Sequence, residues 1–224
     1  MGNSFQKLQE AEAKAKLLFQ EIEKRGIIKP YETENSINKA IFDLAKEMFG
    51  IEKYWHKRIV RAGENTLYPY DENPTNLTVQ EDDILFLDFG PIFEDWEADF
   101  GRTYILGNDP DKLRLKKDIE TAWYEIKSWF DEQNEITGAA FYKYVQNVAF
   151  KKGWEFGGEI AGHLIGHFPH EKLPSGQKHL YIHPDNHHNM RNLDANGNIR
   201  HWILEIHFVD RIKKIGGFFE QLLV

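Results

Sequence analysis

The feature that most constrains this chain is the presence of carboxylates inside strand-like apolar runs, twice over and each time in pairs. In ILFLDFGPIFEDWEADFGRTYIL, Asp88 closes one apolar run and Asp99 opens the next. A turn near Phe93 and Glu94 would set the two acids directly opposite one another, with Cβ atoms roughly 5 Å apart. In WILEIHFVDRIKKIGGFFEQLLV, Glu205 and Glu220 lie in apolar strands on either side of a turn near Ile212 and Lys213, which again predicts direct pairing. Like charges placed opposite each other destabilise a sheet, and burying them unpaired costs more still. A bound cation removes both penalties. Four carboxylates are enough to hold two divalent ions of the kind used by two-metal hydrolases, provided that two similar halves bring the hairpins together.

The surrounding pattern supplies such halves. Phe5, Leu8, Ala15, Leu18, Phe19 and Ile22 recur at helical spacing before Gly26, and a second helix is expected from the Glu34–Ser36 region to Met48, closed by Gly50. Short apolar runs broken by Gly63, Pro69, Pro74 and the acids Glu81 to Asp83 follow from Ile59 and read as strands and turns. Helical periodicity returns after Asp109-Pro110 and again after Thr137, and strands resume from Trp154. The order helices, strands, helices, strands predicts one α+β domain over residues 1–224, with two similar halves around a single sheet.

Composition narrows the chemistry. At 224 residues the chain can bury a core without disulfides, and the absence of cysteine removes thiolate metal sites and cysteine nucleophiles. A formal net charge of -8 argues against a nucleic-acid partner. The charged opening stretch is unlike a signal peptide, and no apolar run reaches membrane-spanning length, so a cytoplasmic, unanchored protein is expected.

The segment EIAGHLIGHFPHE adds His163, His167 and His170 in an apolar, glycine-containing context. An imidazole beside the carboxylates would favour Mn, Co, Zn or Fe over Mg or Ca. A second group, His179, His183, His187 and His188, sits among Pro, Asn and Asp and reads as solvated surface or the lip of a substrate site.

Taken in order, LFLDFG, ADFGRT, GHLIGHFPHE, LEIHF and FFEQLL resemble the pita-bread metallopeptidases: methionine aminopeptidase, aminopeptidase P, prolidase and creatinase. The resemblance runs from the first helix to Glu220. It implies a pita-bread fold with a curved, mainly antiparallel sheet, and two divalent transition-metal ions. By this resemblance Asp88 would hold one ion, Asp99 and Glu220 would bridge, and His163 and Glu205 would complete the other. It further implies that His170 contacts the substrate or stabilises the tetrahedral intermediate, that Glu205 shuttles a proton, and that Arg102 and Thr103 support the ligands. All five ligand types are present, which separates the chain from relatives that keep this fold for binding only. Where the family usually has a histidine in the loop before the first Asp strand, this chain has YPYDENP, so Tyr70 stands in that place. A phenol there donates a hydrogen bond but is a poor acid near neutral pH. The separate amino-terminal domain of aminopeptidase P, prolidase and creatinase is not expected here, as in methionine aminopeptidase, and Phe218 stands where proline-specific members tend to carry arginine. The texture of RIVRAGENTLYPYDENP is nonetheless nearer to aminopeptidase P.

The expected function is therefore a dinuclear metal-dependent aminopeptidase acting on a peptide substrate as a monomer or homodimer, leaning to a residue before proline. Methionine removal is the alternative within the family. A non-catalytic peptide-binding module and a creatinase-like hydrolase of a guanidino compound are the alternatives outside it.

Overall fold

A computed structural model describes residues 4–169 and 177–223, so His170 lies outside the described residues. Helix α1 (Ser4–Lys24) buries Leu8, Ala11, Ala15, Leu18, Phe19 and Ile22 along one stripe. Helix α2 (Glu34–Phe49) begins with a reciprocal cap between Thr33 and Ser36 and ends at Gly50, which takes the left-handed φ of 68° that glycine adopts without strain. Asp109 opens α3 (Pro110–Asp131) by accepting from the amides of Asp111 and Lys112, and Thr137 opens α4 (Gly138–Lys151) by accepting from the amide of Ala140. No helix among the described residues is long and apolar enough to cross a membrane.

The strands are β1 (Ile59–Ala62), β2 (Ile84–Phe89), β3 (Ile92–Phe93), β4 (Trp96–Glu97), β5 (Phe100–Ile105), β6 (Glu155–Phe156), β7 (Leu164–Ile165), β8 (His201–Asp210) and β9 (Ile215–Leu223). The main sheet runs β1-β2-β5-β9-β8-β6 with β7 added on β8, β3 and β4 form a small hairpin, and the pairings are antiparallel. Each half of the chain thus contributes two helices and then strands. One core cluster gathers α1 and α2 under β1, β2 and β5, and the other gathers α3 and α4 under β8 and β9. Strand alternation then separates core from site. Leu85, Leu87 and Phe89 join the core with α1 and α2, which sends Phe86 and Asp88 to the opposite face. On β8, Leu204, Ile206 and Phe208 join the core with α3 and α4, which leaves Glu205 and His207 on that same opposite face.

The second acid hairpin has the expected register, with Glu205 facing Glu220. The first does not. Asp88 faces Gly101 rather than Asp99, because the turn is centred on Glu94 and Asp95, both with positive φ (51° and 68°). The expected turn would have required Phe93 in the left-handed region, which is strained for a bulky residue, whereas Phe93 is buried edge-on against Phe49 at 5.4 Å. The correction displaces the pairing by two residues. An even displacement changes the partner and keeps the face, so Asp99, immediately before β5, still shares a face with Asp88.

Candidate active site

Asp88, Asp99, His163 and Glu220 come from four different segments and converge, each less than a tenth exposed, at the floor of a cavity of about 590 Å³. Glu205 also lines this cavity and keeps partial exposure to it. Among the described residues, two groups have ligand atoms that all lie within 4.8 Å of one another: His56, Asp88 and Asp99, and Asp99, His163 and Glu220. Asp99 belongs to both. Its Oδ1 is 3.0 Å from His56 Nε2 and its Oδ2 is 3.0 Å from His163 Nε2. Glu205 is in neither group but stands in register opposite Glu220.

Burial and crowding determine the charge states. Burial pushes the Asp88 carboxyl up to about 7, against the pull of His56. Glu220 is raised well above the ordinary carboxylate range by burial and then by Asp99, Asp88 and Glu205, and burial raises Glu205 as well. Asp99 goes the other way: burial is outweighed by His56 and His163, which hold it at about 2. Among the described residues, Asp88 Oδ1 and Glu220 Oε2 are buried without a hydrogen bond. Buried acceptors of this kind are expensive unless a cation or proton satisfies them.

The sequence of residues 6–199 matches the model of Metallopeptidase family M24. This chain belongs to metallopeptidase family M24. It is 30% identical over 155 residues to a Mycoplasma genitalium protein provisionally named an Xaa-Pro aminopeptidase, a match covering 66% of this chain and 42% of that relative. The chain therefore spans less than half the length of that curated relative. Among solved structures it resembles dipeptidase PepE from Mycobacterium ulcerans, with a TM-score of 0.77 at 20% identity over 99% of this chain and 55% of that one. It also resembles methionine aminopeptidase from Rickettsia prowazekii, with a TM-score of 0.71 at 17% identity over 98% of this chain and 92% of that one. At these identities the structural likeness concerns the fold. Membership of family M24 implies metal ions, and the floor of the cavity suits them: hard oxygen donors, imidazole, and carboxylate oxygens with no other partner. Glu205 and Glu220 lie beyond the stretch that matches the family model, and β8 and β9 bring them to the acids that lie within it.

The walls around this floor are held by buried hydrogen bonds. Arg61, almost fully buried on β1, donates to the carbonyls of Tyr68, Pro69, Tyr70 and Glu72, and so fixes the loop that carries Tyr70. Tyr70 lines the cavity, and its hydroxyl accepts from the Lys57 amide at 3.2 Å. Arg102 donates to the carbonyl of Glu220, and Thr103 Oγ1 both accepts from the amide and donates to the carbonyl of Phe218. These two residues join β5 to β9. His183 lines the cavity wall, whereas His167 is exposed against Trp96.

The residue that sequence reasoning passed over is His56. It sits in KYWHKR, a charged stretch before β1 that resembles a surface loop. Hydrogen bonds fold that stretch over the site, with the Trp55 amide donating to the Gly90 carbonyl at 3.0 Å and the Trp55 indole Nε1 donating to the Ala98 carbonyl at 3.0 Å. The available signal was Gly90: a side chain there would bring its Cβ within 2.2 Å of His56 Cδ2, so the glycine after LDF leaves room for an imidazole.

Proposed function

We propose that this chain is a dinuclear metal-dependent aminopeptidase that removes the amino-terminal residue of a peptide, with a preference for a residue before proline. The observation that carries the reading is the meeting of Asp88, Asp99, His163, Glu205 and Glu220 at the floor of one cavity, with Asp99 shared between two ligand groups. Asp99 and Glu220 would be shared between the two ions, Asp88 would hold one of them, and His163 and Glu205 would hold the other. Two divalent ions drawn from Mn, Co, Zn or Fe would polarise the scissile carbonyl and activate water. The protein's own groups then orient the peptide and move protons. Glu205, raised by burial and facing the cavity, is placed to take up a proton and return it to the leaving amine. The Tyr70 hydroxyl uses a lone pair on the Lys57 amide and so keeps its own proton free to donate toward the substrate. His170 is proposed, as in the sequence reading, to contact the substrate. A cavity of about 590 Å³ accommodates the end of a short peptide. Its exposed rim acids Asp71, Glu72 and Glu159 suit a cationic α-amino group.

The preference for a residue before proline rests on the name of the Mycoplasma genitalium relative and on the local texture of residues 58–74. Methionine removal is the competing substrate reading. Incubation with a peptide library in the presence of Mn, Co, Zn or Fe, read by mass spectrometry, separates the two by the residues lost. Absence of cleavage with every metal, together with retained peptide binding, would replace the enzyme reading with that of a peptide-binding module.

A further inference from the structure

We propose that His56 is a sixth protein ligand of the metal centre, giving the ion at Asp88 a nitrogen donor that the five residues read from the sequence do not provide. The proposal rests on the reading of this cavity as a metal centre and extends it to a residue outside that set.

The argument is a comparison of two imidazoles. His163 places Nδ1 2.8 Å from the carbonyl of the next residue, Leu164, and Nε2 3.0 Å from one oxygen of Asp99. His56 places Nδ1 2.7 Å from the carbonyl of its next residue, Lys57, and Nε2 3.0 Å from the other oxygen of Asp99. A carbonyl only accepts, so in both rings Nδ1 carries the hydrogen and Nε2 is the atom presented to the acids. This is the usual arrangement of a metal-ligating histidine, whose outer ring nitrogen is tied to a carbonyl so that the inner one points its lone pair at the ion.

The distances fit one coordination shell. Two donors bound at about 2.1 Å and at right angles around one ion stand about 3.0 Å apart, and at a tetrahedral angle about 3.4 Å apart. His56 Nε2 lies 3.0 Å from Asp99 Oδ1 and 3.5 Å from Asp88 Oδ1, the buried oxygen that has no hydrogen bond. The ring is also held in place. Trp55 meets it edge-on at 4.4 Å, Tyr70 at 5.8 Å, and Gly90 leaves the space it occupies. A nitrogen donor at the Asp88 position would shift that ion's preference from Mn toward Co or Zn.

The test uses Co2+ as the probe on the intact chain. In the Co2+-loaded wild-type protein, proton NMR should show two exchangeable, strongly shifted ring N–H signals, one from each ligating histidine. His56→Gln should remove one signal, lower the affinity for one of the two ions by at least about 100-fold, the upper end of what losing even an outer-shell partner costs, and change the visible ligand-field spectrum. His163→Gln should remove the other signal. The wild-type spectrum settles the question even where His56→Gln fails to fold. Two bound ions with a single shifted N–H signal, or an unchanged spectrum in folded His56→Gln, would overturn the proposal and leave the five-residue centre standing; His56 would then be a charged imidazole donating to Asp99. A wild-type protein that takes up no Co2+ overturns the metal reading and this proposal with it.

Discussion

Asp99 is the residue whose loss should be felt most widely, because its two oxygens face different imidazoles and it belongs to both groups of ligand atoms. Asp99→Ala is expected to abolish metal uptake and turnover together, and Glu220→Ala to do the same; elemental analysis of the purified variants checks this. Full metal content in both would remove the bridging assignment. Tyr70 makes a subtler prediction. If Tyr70 donates to the substrate as proposed, Tyr70→Phe removes that proton, so kcat should fall by roughly 10-fold, the lower end of what proton donation contributes, while KM changes little. Steady-state kinetics on a short peptide decides, and values within about two-fold of wild type would make Tyr70 a packing residue only. These acids were legible in the sequence because a carboxylate inside an apolar run is an anomaly that needs a cation. His56 was not, because a histidine among Lys, Trp and Arg looks like surface, and its partner Asp99 is 43 residues away.

At the scale of the elements, the helix starts carry chemistry that can be titrated. Asp109 caps α3 by accepting from two amides, which lowers its carboxyl below the ordinary 3.8. The sign follows from linkage: a carboxyl depressed in the folded chain contributes stability that is complete above the unfolded value and is withdrawn as the pH falls through the lower folded value. Asp109→Asn keeps an acceptor at the cap and loses the charge. Its acid-side loss of melting temperature should therefore be shallower than that of the wild type, and parallel curves would show that the cap is electrostatically silent. Thr137→Ala should destabilise by about 1 kcal/mol in a denaturant titration, since it strips the cap from α4. The four helices were readable from apolar spacing, helped by the stops at Gly26 and Gly50 for the first two and by the starts at Asp109 and Thr137 for the last two. The first acid hairpin was readable only to within two residues. Alternation fixed its buried face, but the partner depended on whether Phe93 or Asp95 would take a positive φ, and the packing of Phe93 on Phe49 decided that.

The two largest cores of the described residues meet along a seam that passes through the candidate centre, with a smaller cluster of Leu8, Ile165, Ile203 and Leu222 also spanning the halves. Between β5 and β9 the described ladder pairing is the single position Gly101–Glu220, reinforced by Arg102 on the Glu220 carbonyl and by Thr103 on both backbone groups of Phe218. Thr103→Val keeps the shape and leaves a buried amide and carbonyl without that partner, at a cost of about 1–3 kcal/mol. It should weaken metal binding as well as folding, because Glu220 lies two residues further along β9. The metal-free protein must hold Asp88, Asp99, Glu205 and Glu220 close together, and burial first, with the neighbouring acids adding to it, raises the Asp88, Glu205 and Glu220 carboxyls. On the proposed reading, ions held by acids from both halves would relieve that crowding and tie the seam, while the unfolded chain has no such site. At 100 times the dissociation constant one ion then stabilises the fold by about 2.7 kcal/mol, or about 5–10 °C in melting temperature for a chain of this size. Calorimetry of the wild type with Mn2+ or Zn2+ should show this rise and its reversal by a chelator. Asp99→Ala should melt at the same temperature with and without metal. A rise in that variant equal to the wild type's would mean that the stabilising ions bind somewhere other than the seam.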